Sequence, residues 1–274
     1  MKKFSLPLKI YMALGYAFLY IPILILMIYS FNESRLVTVW SGFSTKWYSE
    51  LIKDEQMLSA AWMSIQIAFF TATGAVILGT LAGVVMTRFS NFKGQTAFSV
   101  LITAPLVMPE VITGLSLLLL FVGIEGWVGY PHGRGMLTIW VAHVTLTMAY
   151  VTVIMASRLS ELDDNIEDAA IDLGATPFKT FMQITIPMIA PSLACGWLLA
   201  FTLSIDDLVI ASFVSGPGST TLPMVVYSSV RLGLSPKINA LATIIITIVT
   251  ILVVTAAGIM MRLEKKREEN FNVV

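Results

Sequence analysis

Three carboxylates lie in stretches of this chain that are otherwise apolar. Glu110 sits in APLVMPEVITG, residues 104–114, and Asp206 and Asp207 sit in LSIDDL, residues 203–208. A carboxylate inside lipid costs roughly 3 kcal/mol or more unless it is paired or faces water. For Glu110 two roles remain open: a structural acid paired with a neighbouring helix, or a wall group of a cation pathway. Adjacent helical residues point about 100° apart. One of the two aspartates can therefore face a central path while the other pairs or caps. His143, near Thr145, Thr147 and Tyr150, fits a hydrogen-bonded packing residue better than a proton relay. No nucleophile–base spacing, GxGxxG or phosphate loop occurs, so no catalytic residue is expected. The single Cys195 excludes an internal disulfide and a cysteine metal cluster, and no metal site is expected.

A second stretch with chemical potential is polar: Arg158 to Pro187. Asp164 and Glu167 have the spacing of a capping box. Ile166, Ala169, Ala170 and Leu173 then recur at i, i+3, i+4 and i+7, one apolar stripe on a helix of about two turns. Gly174 falls where a left-handed C-cap is wanted. Thr176-Pro177 starts a second short helix, with proline at its first position, and Phe178, Phe181 and Met182 form its apolar face. A helix this short is marginal alone in water. Its flat Ala-Ala centre admits close approach by a partner, and its acidic face suits cations or water. Pattern alone leaves open a docking element and a solvated loop.

The elements that must position these residues are membrane spans. Of 274 residues, 57% are hydrophobic and 12% charged, and the mean hydropathy is +0.83. With apolar residues in long runs, this is the signature of a polytopic membrane protein. A net charge of +0 gives no support to nucleic-acid binding. Six spans are expected, near 10–31, 60–87, 97–123, 136–157, 188–214 and 239–261, and Glu110, Asp206 and Asp207 are the only acids inside them. The first run is too long for a signal peptide and no cleavage site comes after it, so it is read as a retained span. Of the 17 Lys and Arg, eleven fall on one side, among them Lys2, Lys3, Arg88, Arg158 and the tail Arg262 to Arg267. The positive-inside rule makes that side cytoplasmic. Both termini and residues 158–187 are then inside. Residues 32–59 are outside, with Trp40, Phe43, Trp47, Tyr48 and Leu51 expected to anchor at the interface. The 88–95 loop reads as a basic turn. Gly74, Gly79 and Gly83 read as helix packing, and residues 222–231 as a short re-entrant or surface helix. Two prolines, Pro105 and Pro109, should kink or open the third span.

Asp168-Ala169-Ala170, then Gly174, then Ile184-Thr185-Ile186-Pro187 after nine further residues, resembles the cytoplasmic EAA loop of ABC importer permeases. Asp168 stands for its Glu and Ile186 for its Leu. The resemblance implies a coupling helix that docks on an ATP-hydrolysing subunit, carried by Asp168, Ala169, Ala170, Gly174, Ile184 and Pro187. LITAPLVMPEVITGLSLLLLF, EDAAIDLGATP, FTLSIDDLVIASFVSGPG and TTLPMVVYSSVRLG extend it to the second permease of spermidine/putrescine-type importers. The resemblance implies an all-α membrane protein with the type I importer permease (MetI-like) fold, a single permease domain over residues 1–274. The implied partners are a second permease forming a heterodimer, two copies of a cytoplasmic ATPase, a periplasmic substrate-binding protein and membrane lipid. No cofactor is expected in this chain, ATP and Mg lying on the ATPase, and the chain itself is not expected to be an enzyme. The implied location is a bacterial inner membrane. Glu110, Asp206 and Asp207 carry over as the substrate path of alternating access. The rival readings are the same architecture for another small cationic or organic solute, and a proton-driven secondary carrier, which leaves the coupling loop unexplained.

Overall fold

Proline, glycine and side-chain caps decide where the apolar runs become helices and where those helices stop. A computed structural model describes residues 6–36, 39–89, 92–233 and 235–271. Lys2, Lys3, Ser90, Asn91 and the side chains of the basic tail, all used above for orientation or turns, lie outside the described residues. The helices are α1 (Leu6–Tyr29), α2 (Lys46–Ile52), α3 (Glu55–Arg88), α4 (Gln95–Val107), α5 (Glu110–Val128), α6 (Met136–Ser160), α7 (Asp164–Asp172), α8 (Pro177–Thr180), α9 (Ile186–Ile205), α10 (Val209–Val214), α11 (Leu222–Leu232) and α12 (Pro236–Phe271). Among the described residues no strand forms; Asn32 and Phe43 make an isolated antiparallel bridge. Among the described residues five stretches are long and apolar enough to cross a membrane unaided: α1, α3, α5, α6 and Pro177–Ile205. Shorter apolar helices run over Gln95–Val107 and Pro236–Ile251.

The expected third span is two helices. Pro109 removes an N–H and disfavours α conformation in the residue before it. Met108 is accordingly extended, at ψ 136°, and Pro109 itself caps α5 at ψ 135°. Pro105 stays inside α4. The fifth span is divided as well: α9 ends at Ile205 and α10 restarts at Val209, with neither proline nor glycine between them. The second short helix expected after Thr176 is not free-standing. From Pro177 the backbone runs through a π-helical turn, Phe181–Thr185, directly into α9. The widened turn lies just ahead of Pro187, which offers no N–H and whose ring crowds the carbonyl of Gln183.

The chain divides into two compact units, Ser59–Val225 and a terminal unit of Met1–Leu58 with Val226–Val274. In the terminal unit α12 packs on α1 and α2. Buried Asn32 folds the segment after α1: its Oδ1 accepts from Ser41 N at 3.0 Å and its Nδ2 donates to Val39 O at 2.7 Å. The Trp47 indole donates to the Asn32 carbonyl at 2.6 Å. Trp47 and Leu51 are buried, which corrects their reading as interfacial anchors; the folded loop gives them an interior to fill. Trp40 and Phe43 remain exposed.

In the central unit α6 is the hub, packed against α4, α9 and α10. One core gathers Ile67, Phe121, Ile139, Leu146, Ile210 and Val214. The other gathers Ala72, Ala75, Val151, Met155, Ile189 and Ala200. As expected of small residues in lipid, α3 meets α6 at near backbone distance: a Cβ on Gly79 would lie 2.8 Å from Val151.

Candidate functional site

At the polar end of the central unit, α7 is shaped by its caps. Asp163 is the N-cap, its Oδ1 accepting from Asn165 N at 3.0 Å. The cap therefore sits one residue earlier than the Asp164–Glu167 pattern placed it. The reason is that Glu167 is engaged elsewhere. Its Oε1 accepts from Arg88 Nη2 at 3.2 Å and from Thr185 Oγ1 at 2.8 Å. One carboxylate thus ties α7 to the end of α3 and to the π turn. The C-terminus closes as the sequence predicts. Gly174 is left-handed at φ +91°, and Gly174 N and Ala175 N donate to Ile171 O and Ala170 O at 2.8 and 3.0 Å. That pair of bonds is a Schellman motif. Thr176 Oγ1 then accepts from Lys179 N at 3.3 Å.

The apolar face of this region is left open. Leu173 is 90% exposed and Phe178 75%, and Ile166 and Met182 are exposed too. Asp168 and Ala169 are exposed, Ala170 and Ile184 half-buried, and Pro187 exposed. The result is a short helix held by its caps and the Glu167 clasp, with its apolar stripe uncovered.

The membrane acids occupy the two helix breaks. Glu110 is the first residue of α5 and is exposed. Asp206 ends α9, its N–H reaching Thr202 O at 3.4 Å, and its side chain is exposed. Asp207 is turned inward. Its Oδ2 accepts from Ala211 N at 2.8 Å and its Oδ1 from Ile210 N at 3.4 Å, capping α10. His143 Nε2 lies 3.1 Å from Oδ2. Of the two alternatives for the aspartates, Asp207 pairs and caps and Asp206 faces outward. The helices after the breaks are neighbours: a Cβ on Gly114 of α5 would lie 2.7 Å from Phe213 of α10. Among the described residues, no group of three or more His, Cys, Asp or Glu is placed to hold a metal ion.

Residues 75–269 match the model of the binding-protein-dependent transport system inner membrane component family. The chain belongs to this family. It is therefore an inner membrane transport component, with the MetI-like permease fold. Relatives extend the match over most of the chain. It is 62% identical over 254 residues, 93% of this chain and 90% of the relative, to the putrescine transport system permease protein PotI of Escherichia coli (strain K12). It is 40% identical over 248 residues, 90% of each, to the spermidine/putrescine transport system permease protein PotC of the same organism. In structure it resembles a chain of a bacterial ABC transporter that imports the acidic polysaccharide alginate, with a TM-score of 0.67 at 16% identity over 94% of this chain and 98% of that one. A chain of an amino acid ABC transporter gives a TM-score of 0.55 at 18% identity, covering 79% of this chain and 97% of that one.

Three contacts that shape the site were invisible in the sequence pattern: Arg88 and Thr185 on Glu167, and His143 on Asp207. Their separations of 79, 18 and 64 residues leave no local periodic signal. Only His143 and Asp207 were marked, by their polarity within apolar runs.

Proposed function

We propose that the chain is one permease subunit of an ATP-driven importer of polyamines, putrescine first among them. The observation that carries this reading is the 62% identity to a putrescine permease against 40% to a spermidine/putrescine permease, each over about nine-tenths of both chains. The exposed carboxylates Glu110 and Asp206 at adjacent helix breaks support it. A polyamine is a flexible polycation, and ammonium groups moving through lipid need acidic or aromatic walls. The full assembly is this chain with a second permease, two copies of a cytoplasmic ATPase and a periplasmic binding protein. ATP and Mg on the ATPase supply the chemical energy; this chain binds neither. In this reading both termini and the coupling loop lie in the cytoplasm, which the lysine and arginine distribution supports.

The division of labour rests on the geometry. The uncovered stripe of α7, with Asp168, Ala169, Ala170 and Gly174, seats on the ATPase. Ile184 and Pro187 carry its movement into α9, and the paired breaks turn that movement into alternate opening of the cation path to the two sides. Glu110 and Asp206 meet the cargo, and Asp207 shapes the same wall from behind.

The test is uptake of labelled putrescine into proteoliposomes holding the four-component complex. ATP-dependent uptake that survives collapse of the proton gradient supports the reading; uptake that needs only the proton gradient overturns it. Within the same assay Gly174→Val, which forces a β-branched residue into φ +91°, should cost about 1–2 kcal/mol at the cap. Co-purification of the ATPase and uptake should fall together. Full retention of both would remove α7 from the coupling role.

A further inference from the structure

Three polar groups are buried together behind the exposed acids. His143 on α6 is 2% exposed and the side chain of Asp207 6%; Ser204, in the last turn of α9, is 5% exposed. The imidazole stands between the other two, with Nδ1 2.8 Å from Ser204 Oγ and Nε2 3.1 Å from Asp207 Oδ2. The order Asp–His–Ser matches that of hydrolytic relays, yet a serine this buried has no access to a substrate. The set has another use.

An ionised carboxylate only accepts hydrogen bonds. With Asp207 in that form, the 3.1 Å contact requires His143 to carry its proton on Nε2 and donate it to Asp207, and the Ser204 hydroxyl completes the chain at Nδ1. Asp207 also holds the N–H groups of Ile210 and Ala211. Three donors from α6 and α10 thus converge on one carboxylate at the joint between α9 and α10. To swing toward an ammonium group, Asp207 would have to abandon all of them inside the protein, where an orphaned donor is costly. Among the described residues no donor from α6 or α10 reaches the Asp206 carboxylate, and Asp206 is exposed.

We propose that His143 is a positioning residue. It fixes Asp207 as the pin of the α9–α10 joint and so leaves Asp206 as the carboxylate of the pair that meets a cationic cargo. This rests on the polyamine-path reading above. It divides two adjacent aspartates by function and assigns a role to a histidine that touches no cargo.

The test uses the assembled transporter in lipid vesicles, with the chain's single cysteine, the exposed Cys195, replaced by alanine. Asp206→Cys and Asp207→Cys are then labelled with a water-soluble cationic thiosulfonate. Position 206 should label about tenfold faster than 207, as accessibility governs thiol reactivity. Adding His143→Ala should raise the rate at 207 towards that at 206. Equal rates with His143 intact, or no response of 207 to His143→Ala, overturn the proposal. Protection of Asp206→Cys by excess putrescine tests the cargo separately. Selective labelling without protection keeps the pin and discards the polyamine reading.

A second measurement stands if Asp207→Cys fails to assemble. The chain has 2 histidines, so His132→Gln leaves His143 as the sole imidazole for nitrogen NMR. The spectrum should show the single tautomer with its proton on Nε2. Asp207→Asn, whose amide can donate, should move the ring proton to Nδ1, while Asp206→Asn leaves the spectrum unchanged. A mixture of tautomers in the unaltered ring, or the same response to both substitutions, overturns the assignment.

Discussion

The two broken spans reach similar shapes by different physics. Between α4 and α5 the break is enforced covalently: Pro109 has no N–H to give and holds Met108 extended. Between α9 and α10 nothing in the backbone forbids a continuous helix. That break persists because the Asp207 carboxylate occupies the amides of Ile210 and Ala211 and is itself gripped by His143. The first break is set by the chemistry of a single residue. The second is held by side-chain hydrogen bonds and is as durable as those bonds. The acids differ in the same sense, since Glu110 contributes nothing to holding its break open while Asp207 is what holds the other.

Removing Asp207 is the hardest test of that contrast. Asp207→Ala leaves two amides and an imidazole without their acceptor. It should lower the unfolding free energy of the complex by on the order of 2 kcal/mol, read as an earlier midpoint in denaturant titration of the lipid-reconstituted protein. A midpoint within error of the unaltered chain would erase the distinction. Next in size is Pro109→Ala, which restores an N–H and frees Met108 for helical conformation. Amide exchange at Met108, Glu110 and Val111 should slow by about tenfold as α4 and α5 fuse; unchanged exchange would mean that tertiary packing, not proline, opens that break. His143→Leu should cost about 1 kcal/mol and speed exchange at Ile210 and Ala211 while leaving Ile112 and Thr113 untouched. The smallest effect belongs to Glu110→Gln. Stability should stay within about 0.5 kcal/mol, while half-saturation for putrescine uptake rises roughly threefold, the value of one exposed ionic contact. A loss of stability matching that of Asp207→Ala would show that both acids are structural.

The same contrast explains what the sequence disclosed. Whatever depends on a residue and its near neighbours was legible: the opening at Pro109, the left-handed Gly174, the Thr176-Pro177 start, the small-residue seam at Gly79, and the short helix of residues 164–172. What depends on distant partners was not. The α7 cap shifted to Asp163 because Glu167 is claimed by Arg88, 79 residues away. The break after Ile205 has no proline or glycine to announce it, so the fifth span read as unbroken. Trp47 read as an interfacial anchor because the Asn32-centred loop that encloses it is built from long-range contacts. Glu110, Asp206 and Asp207 stood out as chemical anomalies, but only the fold separates the gripped acid from the exposed ones.

One feature of the backbone bears on how force crosses this molecule. From Pro177 to Ile205 the chain is helical without a gap, the π turn included, a rod of about 40 Å. Phe178 near one end and Asp206 at the other are thus joined by continuous helical backbone, so a twist applied at one is carried toward the other. Adding one residue to α9 would turn the acid by about 100° relative to the tip, and adding seven would bring it nearly back into phase. Transport in such a series should fall and then recover, tracing the pitch of the helix itself.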